Sequence, residues 1–504
     1  MIKFNLFIMI SFAKKIIMKH IYFLFLLLTS LSLTSQTSVG NVLYGTAAFE
    51  NFGKSIGMAN NGDRIAVGSP YNNELGNHSG NIKIYDWING AWVLTGNIYG
   101  PANSYMGTNV NISENGKTVI ATTDYYIGTA SQNICVYELQ NNVWNMTWNL
   151  VNYGSSNLTF GSYTGVSDDG NTITHSSVNI GGTSNSANGR VFILRKINNV
   201  WTEIGLIQEM SLNIGNGNYF GHTTKLSPDG NKIFISAPIR GSLYSYQYSN
   251  GQWTQYGGEI LESNNGSLQF GKSFSINSAA DILAVGNTSY NNMTTKNGAV
   301  TFYSLVNGSW TKKGQITGTA SQFMGTTVSI SDNNLVAISN NTNNLNQNVS
   351  GSLTVYKFDL TNQTFTKLGA TLNAEYLDYM TINDISKTSN KVVTAGFYAN
   401  NPNNIRTGYV KTFGYDAFLN TKDVFADKKS VNVYPNPTKG RIYFDDSENK
   451  IISVKVFNAS QQLILEKDIN SNEKSLDLPS SATLYFVTFY LKDATTLTKK
   501  IIVQ

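Results

Sequence analysis

The feature that most constrains this chain is a unit of roughly 50 to 60 residues that recurs along most of its length. Each unit opens on an aromatic residue or a methionine, followed in most cases by glycine. The repeat-opening pairs are Phe52-Gly53, Met106-Gly107, Phe160-Gly161, Phe220-Gly221, Phe270-Gly271, Met324-Gly325 and, in degenerate form, Tyr379-Met380. This period indicates one structural unit built seven times, in which neighbouring units share their cores.

The internal order of each unit predicts four strands. An apolar run leads into a tight turn such as Asn61-Gly62 or Asp229-Gly230, whose residues supply the positive φ of two-residue hairpins. A short apolar second strand, a variable loop, an alternating third strand and an aromatic-containing fourth strand follow. The aromatic residues of the fourth strands are Trp92, Trp144, Trp201, Trp253, Trp310 and Phe365.

Four antiparallel strands per unit, seven times over, predict an all-β seven-bladed β-propeller over residues 37–416. The seventh unit lacks a fourth strand of its own. The run Ser38–Gly45, which precedes the first unit, is similar to the fourth strands, so we expect it to complete the last blade and close the ring. The fixed register of the tryptophans favours packing between blades over stacking on sugars.

A family resemblance rests on the first unit. Phe52-Gly53 followed by Gly68-Ser69-Pro70 resembles the FG-GAP repeats of integrin-α-type propellers, and the likeness covers Ser38–Asp416. Many such repeats carry a calcium loop, but here that connection is shortened to a hairpin turn. Asp168-Asp169-Gly170 is the most acidic of these turns, and two adjacent carboxylates cannot supply the roughly six or more oxygens that Ca²⁺ takes. We therefore expect neither a metal nor another cofactor.

The C-terminal block differs in composition from the repeats. A polar linker at residues 417–430 precedes residues 431–504, whose short alternating runs predict a small antiparallel β-sandwich. The block resembles the type A C-terminal sorting domain of the type IX secretion system of Bacteroidetes. The residues that carry the likeness are Tyr434, Pro435, Asn436, Pro437, Gly440, Lys499 and Lys500. Ser460 and Leu484 depart from the family pattern, since each stands where glycine is usual.

The sorting resemblance implies a route of export. A signal peptide carries such proteins to the periplasm, the outer-membrane translocon reads the sorting domain, and a cut, here around Val424–Ser430, releases the cargo or leaves it attached to the surface. Residues 1–36 fit a signal peptide, with an apolar run at Ile21–Leu28 and Met18 as an alternative start. A membrane anchor is the other interpretation, but the run is short for a bilayer span.

Charge and motifs limit the other partners. Four leader lysines account for most of the formal charge of +5, and the remaining chain carries about +1 without basic clusters, which argues against nucleic acid. Gly266–Ser273 matches the phosphate-loop pattern G-x-x-x-x-G-K-S, but it continues into the strand-turn-strand pattern of its sister units, so no nucleotide is expected. Cys135 lies in a strand-like run and is expected to be a small buried residue.

The loops between second and third strands are the best candidates for recognition. They vary in length while the strands do not, and they are rich in Asn, Tyr, Gly and Ser. These loops are Tyr71–Ser79, Asp124–Ser131, Val178–Asn188, Tyr290–Asn297, Asn340–Ser350 and Tyr398–Thr407. No catalytic residue is expected, because His78, His175 and His222 fall in different units and no acidic position recurs at the inner strands.

We therefore expect an exported extracellular or cell-surface binding or adhesion protein. Its partners would be the type IX machinery and a glycan or protein ligand. Two alternatives stay open: a secreted carbohydrate-active enzyme, a lyase or hydrolase with its site at the propeller axis, and a purely structural surface component. Acidic, basic or histidine side chains clustered at the axis would favour the enzyme, whereas an axis of Ser, Thr and aliphatic residues would argue against it.

Overall fold

The computed structural model describes residues 36–503 with several gaps. The residues within this span that it does not describe are 60, 124–132, 152–157, 180–188, 209–217, 263–268, 291–295, 342–349, 375–377, 416–430, 432, 446–450, 459–461, 471–473, 480–483 and 493–495. The predicted linker and residues 1–35 of the predicted signal peptide lie outside the described residues. The chain divides into two units, Met1–Leu419 and Asn420–Gln504.

The described part of the first unit is all-β. Two short strands come first, β1 (Thr37–Ser38) and β2 (Leu43–Tyr44). Sheet 1 follows with β3 (Ser55–Met58), β4 (Arg64–Ser69), β5 (Asn81–Ile88) and β6 (Ala91–Tyr99). Sheet 2 contains β7 (Asn109–Ile112), β8 (Thr118–Thr122), β9 (Asn133–Gln140) and β10 (Val143–Val151). Sheet 3 contains β11 (Leu158–Val166), β12 (Thr172–Asn179), β13 (Arg190–Ile197) and β14 (Val200–Gln208).

The remaining sheets of this unit repeat the pattern. Sheet 4 contains β15 (Thr224–Leu226), β16 (Lys232–Ala237), β17 (Ser242–Ser249), β18 (Gln252–Gln255) and β19 (Ile260–Leu261). Sheet 5 contains β20 (Phe270–Ile276), β21 (Ile282–Asn287), β22 (Ala299–Val306) and β23 (Ser309–Thr317). Sheet 6 contains β24 (Met324–Ile330), β25 (Leu335–Asn340), β26 (Ser352–Asp359) and β27 (Thr364–Asn373). Sheet 7 contains β28 (Ile382–Ile385), β29 (Lys391–Gly396) and β30 (Tyr409–Gly414).

Sheet 7 is completed by the beginning of the chain. In sheets 1 to 7 consecutive strands pair antiparallel, except that β19 of sheet 4 pairs with β17 and not with β18. On the free edge of β30, Thr37 of β1 pairs with Gly414 and Leu43 of β2 pairs with Val410. The strands that precede sheet 1 therefore take the place of a fourth strand in sheet 7.

The repeat-opening pairs lie at the contacts between sheets. Phe52, Phe220 and Phe270 are fully buried. Gly107 has a φ of 93°, and a Cβ built on it would lie 2.6 Å from the carbonyl oxygen of Asn81 in sheet 1. Glycine is therefore needed at that position for its left-handed backbone and for the close approach of the neighbouring sheet.

The hydrophobic cores lie between neighbouring sheets. Ile84 of sheet 1 shares a cluster of buried side chains with Val110 of sheet 2, and each following pair of sheets shares a cluster in the same way. Sheet 7 shares its other cluster with sheet 1, through Val393 and Ile56. Because each fully buried aliphatic or aromatic side chain contributes about 1.5–3 kcal/mol, these interfaces hold the unit together. The arrangement is that of a β-propeller-like fold.

The second unit is a pair of packed antiparallel sheets. Its strands are β31 (Val433–Tyr434), β32 (Arg441–Phe444), β33 (Ile451–Asn458), β34 (Leu463–Asp468), β35 (Ser475–Asp477), β36 (Leu484–Leu491) and β37 (Thr496–Ile502). One sheet has the order β31-β32-β35 and the other β34-β33-β36-β37. Side chains from both sheets, such as Phe444 and Phe489, form a single core. In the part of the chain that the structure describes, no helix is long and apolar enough to cross a membrane.

Candidate functional site

A cavity of about 360 Å³ lies in the middle of the first unit, lined by the first strands of sheets 1 to 7. We call the end where the first strands begin the loop side, and the end where they run into their hairpin turns the turn side. Ser and Thr line much of the wall, for example Ser275 and Thr327. Charged side chains line it as well, including Lys225 and Asp384 from the first strands of sheets 4 and 7.

One turn position brings further charges to the turn side. The second residue after each first strand is Glu114, Asp168, Pro228, Ser278, Asp332 and Lys387 in sheets 2 to 7. All of these except Asp332 line the cavity. No acidic position recurs within the inner strands themselves, but the turns that follow them bring two carboxyls, Glu114 and Asp168, to one cavity. Aligning the repeats on the end of the first strand would have revealed this position.

On sheets 5, 6 and 7 these polar groups join neighbouring sheets. Asp332 Oδ1 accepts a hydrogen bond from the Ser278 backbone N–H at 2.7 Å. Lys387 Nζ donates to the carbonyl oxygens of Ile276 and Ile330, the latter at 3.0 Å. Asp384 Oδ2 accepts from the Met58 N–H of sheet 1 at 2.9 Å. This part of the turn side is held together by its own polar side chains.

The charged cavity side chains of sheets 2, 3 and 4 differ from those of sheets 5, 6 and 7 in their hydrogen bonding. Glu114, Asp168 and Lys225 form no side-chain hydrogen bond or ion pair with any described residue, and the buried Oε2 atom of Glu114 has no partner there. Burial raises the pKa of the Glu114 carboxyl well above its usual value and that of Asp168 to about 6, although Lys387 opposes both shifts. Burial also lowers the pKa of the Lys225 amine, and Asp384 opposes that shift. Each shift favours the uncharged form.

The loop side of the first strands carries a tyrosine–histidine pair. His222 is buried, and its Nε2 lies 2.9 Å from the hydroxyl oxygen of Tyr163. Burial lowers the pKa of His222 to about 4, and the positive charge of Lys272 lowers it further. Burial raises the pKa of Tyr163 to about 12. Both groups are neutral at pH 7, and neither fits a general base at that pH.

Two of the predicted recognition loops present aromatic rings at the surface. In Tyr71–Ser79, Tyr71 is 40% exposed and its ring centroid lies 5.3 Å from those of His78 and Tyr105. Tyr105 Oη lies 2.8 Å from His78 Nδ1. The three rings therefore form one cluster at the edge of the loop.

The loop Tyr398–Thr407 carries a second cluster. The Arg406 guanidinium lies 3.7 Å from the centroid of the Tyr398 ring and 5.6 Å from that of Phe49. Phe49 is 64% exposed and has a φ of 60°, a strained backbone for an aromatic residue. The N–H of Tyr71 donates to the carbonyl of Glu50, next to Phe49, which connects the two clusters. We call Phe49, Tyr71, His78, Tyr105, Tyr398 and Arg406 together the aromatic strip.

The other four recognition loops lie wholly or largely outside the described residues. The fourth-strand aromatic residues are described, and the expectation that they pack between sheets is confirmed. A Cβ on Gly96 of sheet 1 would lie 2.7 Å from Trp144 Nε1, and Gly314 meets Phe365 in the same way. Cys135 is buried in a hydrophobic cluster, as predicted. Lys272 and Ser273, from the phosphate-loop pattern, lie inside strand β20 and not at the start of a helix.

The two ends of the sorting block meet in space. Asn436 Oδ1 accepts from the Ile502 N–H at 2.9 Å, and the Thr438 N–H donates to the Ile502 carbonyl at 2.9 Å. Tyr434 is 56% exposed, and Lys499 lies on β37 opposite Val487. The motif residues around Asn436 and the terminal strand that contains Lys499 and Lys500 are thus neighbours on one surface. Among the described residues, no group of three or more His, Cys, Asp or Glu is arranged to hold a metal ion.

Comparisons with known proteins support the C-terminal assignment. The family model of the secretion system C-terminal sorting domain matches residues 432–504. A search of curated proteins finds no match. Among solved structures, the chain is similar to a putative 6-phosphogluconolactonase from Bacteroides uniformis, at 14% identity, 66% coverage of this chain, 88% of that chain and a TM-score of 0.45.

Two further solved structures are similar to this chain at comparably low sequence identity. The periplasmic gluconolactonase of Pseudomonas aeruginosa is 13% identical, with 64% of this chain and 86% of that chain covered and a TM-score of 0.43. An oligogalacturonate lyase in complex with manganese is 10% identical, with 76% and 98% covered and a TM-score of 0.46. None of these carries a function to this chain. The C-terminal block, by contrast, carries a type IX sorting signal, which indicates export followed by secretion or attachment to the outer surface.

Proposed function

We propose that the exported chain is a seven-bladed β-propeller of FG-GAP-like repeats that acts as an extracellular or cell-surface binding or adhesion protein. Support for the propeller comes from the seven antiparallel sheets of four or five strands around one cavity and from the cores shared by successive sheets, including sheets 7 and 1. Residues 37–416 would form the propeller, residues 1–36 the signal peptide, 417–430 the linker and 431–504 the sorting domain.

The observation that carries the binding function is the aromatic strip. Aromatic rings with polar edges bind the faces and hydroxyls of sugars as well as protein surfaces, and Arg stacked on Tyr adds hydrogen-bond donors without losing its ring contact. Phe49 is exposed and has a left-handed backbone conformation, which costs conformational energy. Because such strain is found mainly at functional sites, it favours a functional role for the exposed ring. The strip therefore has the composition of a recognition surface.

A glycan-array and cell-surface binding screen of the whole chain tests this proposal. We expect Tyr71→Ser and Tyr398→Ala each to weaken binding by about tenfold or more, because each removes a stacking ring. The control is Val143→Ser, at an apolar side chain that is 56% exposed in strand β10 and outside the strip. Binding that is equal in all three variants would contradict a role for the strip.

The cavity supports a second candidate, a secreted carbohydrate-active enzyme. Hydrolysis of a glycoside needs a carboxylic acid of raised pKa beside an ionised carboxylate. Glu114 fits the acid, and Asp168, with a pKa of about 6, fits a partner that is largely ionised at pH 7. Release of reducing sugar from polysaccharides, lost in Glu114→Gln, would support this candidate, and the absence of turnover on a broad panel would contradict it.

A further inference from the structure

Three ionisable side chains of the cavity form no side-chain hydrogen bond or ion pair with any described residue. Glu114, Asp168 and Lys225 come from sheets 2, 3 and 4, which follow one another around the cavity. We call these three residues the open triad. All three are half-buried in the cavity wall, and the Oε2 atom of Glu114 is buried without a hydrogen-bond partner among the described residues. Because buried polar groups in proteins are normally hydrogen-bonded, this carboxyl and its two unpaired neighbours require an explanation.

The contrast with the opposite half of the cavity argues against a purely structural role. Asp384 and Lys387 also line the cavity, and both form hydrogen bonds to neighbouring sheets. The open triad forms no such bond, although Glu114 and Asp168 occupy the same repeat position as Lys387. Ionisable groups that are half-buried without a partner do not stabilise the fold, so their presence in the cavity favours a ligand over a structural role.

The composition of the triad limits the chemistry of that ligand. A divalent cation would meet the Lys225 and Lys387 amines, and an anion would meet the Glu114, Asp168 and Asp384 carboxyls, so neither is favoured. Burial also disfavours the charged forms of all three triad members, which suits an uncharged ligand. The triad combines hydrogen-bond acceptors on its carboxyl groups with donors on the Lys225 amine, and a sugar hydroxyl both donates and accepts, so it can satisfy either kind of group.

We propose that the open triad binds a neutral, hydroxyl-rich sugar unit inside the cavity. Its volume of about 360 Å³ lies near the lower end of the roughly 300–1,000 Å³ typical of small-molecule sites. Asn111 lines the same wall and donates through Nδ2 to Thr164 Oγ1 at 3.0 Å, which leaves its amide oxygen as a further acceptor. This site is the same cavity that would be the active site of the second candidate function, but the present proposal requires only that the sugar binds and not that it reacts.

The test is isothermal titration of the whole chain at pH 7 with methyl glycosides of glucose, galactose and mannose as neutral probes. Glucuronate, glucosamine and calcium chloride serve as the anionic, cationic and metal probes. We expect saturable binding of at least one neutral glycoside and weaker binding of the charged probes. Glu114→Ala and Lys225→Met should each weaken that binding by about tenfold or more, since each removes a hydrogen bond inside the cavity.

The matched control is Asp332→Asn. It changes a carboxyl at the same repeat position, but Asp332 does not line the cavity, and the asparagine oxygen still accepts from Ser278 N–H. The melting temperatures of Glu114→Ala and Lys225→Met should be unchanged or higher, because an unsatisfied buried group is removed. Lower affinity with equal or higher stability therefore supports the site and rules out unfolding as the cause.

Three results would overturn the proposal. They are the absence of saturable binding of any neutral glycoside, preference for a charged probe, and unchanged affinity in both cavity variants. Affinity lost in Tyr398→Ala but kept in Glu114→Ala would place sugar binding on the aromatic strip and contradict the cavity site. Binding in the cavity without turnover would support the site while contradicting the second candidate function.

Discussion

The Glu50 carboxylate is fully buried beside the chain segment that closes the first unit. It accepts hydrogen bonds from the Thr46 and Ala47 N–H groups and from Asn72 Nδ2 at 2.6 Å, and Lys83 Nζ lies 3.9 Å away. Lys83 itself donates to Thr46 Oγ1 at 2.8 Å. This network fixes the residues that link β2 to sheet 1.

Replacing Lys83 with methionine should destabilise the protein by about 3–5 kcal/mol, because it leaves the Glu50 charge buried without a cationic partner. Urea unfolding followed by circular dichroism measures this change. The double variant Glu50→Gln/Lys83→Met should recover part of the loss, since no buried charge remains. A single variant as stable as the double would show that the pair is not coupled.

His222 should make stability depend on pH. Its pKa is about 4 in the folded protein, against 6.5 for an unperturbed histidine. Between these values the unfolded chain takes up a proton that the folded protein does not, so the free energy of unfolding falls as the pH falls from 6.5 to 4. The loss for one such group reaches about 3 kcal/mol at the lower end.

The variant His222→Gln should remove this contribution while keeping a hydrogen-bonding side chain near Tyr163. The quantity to measure is the difference in unfolding free energy between variant and wild type at pH 7 and at pH 4.5. We expect the unfolding free energy of the variant, relative to that of the wild type, to be higher at pH 4.5 than at pH 7. Other titrating groups such as His175 are present in both proteins and cancel from this difference. An equal difference at both pH values would contradict the buried neutral state of His222.

Elements of the repeat depend on glycine where neighbouring sheets touch. Gly107 and Gly90 both have a φ near 90°, at 93° and 86°, but only Gly107 lies against another sheet. A Cβ at Gly107 would lie 2.9 Å from Gly68 Cα, whereas a Cβ at Gly90 meets nothing within 4 Å. Substitutions at these two glycines therefore separate the cost of the left-handed backbone from the cost of the contact between sheets.

We expect Gly90→Ala to cost about 1–2 kcal/mol from the left-handed backbone alone. Gly107→Ala should cost about 1–3 kcal/mol more, because the added methyl group overpacks the contact with Gly68. Thermal and denaturant unfolding of the two variants give the comparison. Equal losses would mean that the sheets adjust to the methyl group and that only φ matters at both positions.

At this scale much of the structure follows from local sequence. The short apolar second strands predicted from the repeat, such as Arg64–Ser69 and Lys232–Ala237, have those bounds in the structure. They could be predicted because hairpin turns and buried apolar runs are local signals. The convergence of Glu114, Lys225 and Asp384 on one cavity could not, because these residues are more than a hundred positions apart in the sequence and come together only when the first strands of all the sheets surround one space.

At the scale of the whole molecule, the beginning of the chain closes the first unit. β1 and β2 occupy the edge of β30, Leu43 joins the core between sheets 7 and 1, and a Cβ on Gly40 would lie 3.4 Å from Trp92 Cδ1 in the fourth strand of sheet 1. The aromatic contact between successive fourth strands thus continues across the closure.

Deleting residues 37–45 should therefore open the edge of β30 and remove part of the core between sheets 7 and 1. We expect a lower melting temperature and self-association through the free edge, measured by thermal unfolding and by light scattering during gel filtration. A synthetic peptide of residues 37–45 should bind by strand addition and restore a monomer, whereas a scrambled peptide should not. A deletion variant that stays monomeric with an unchanged melting temperature would contradict closure by these strands, because a sheet without its outer strand exposes unpaired backbone groups that favour association.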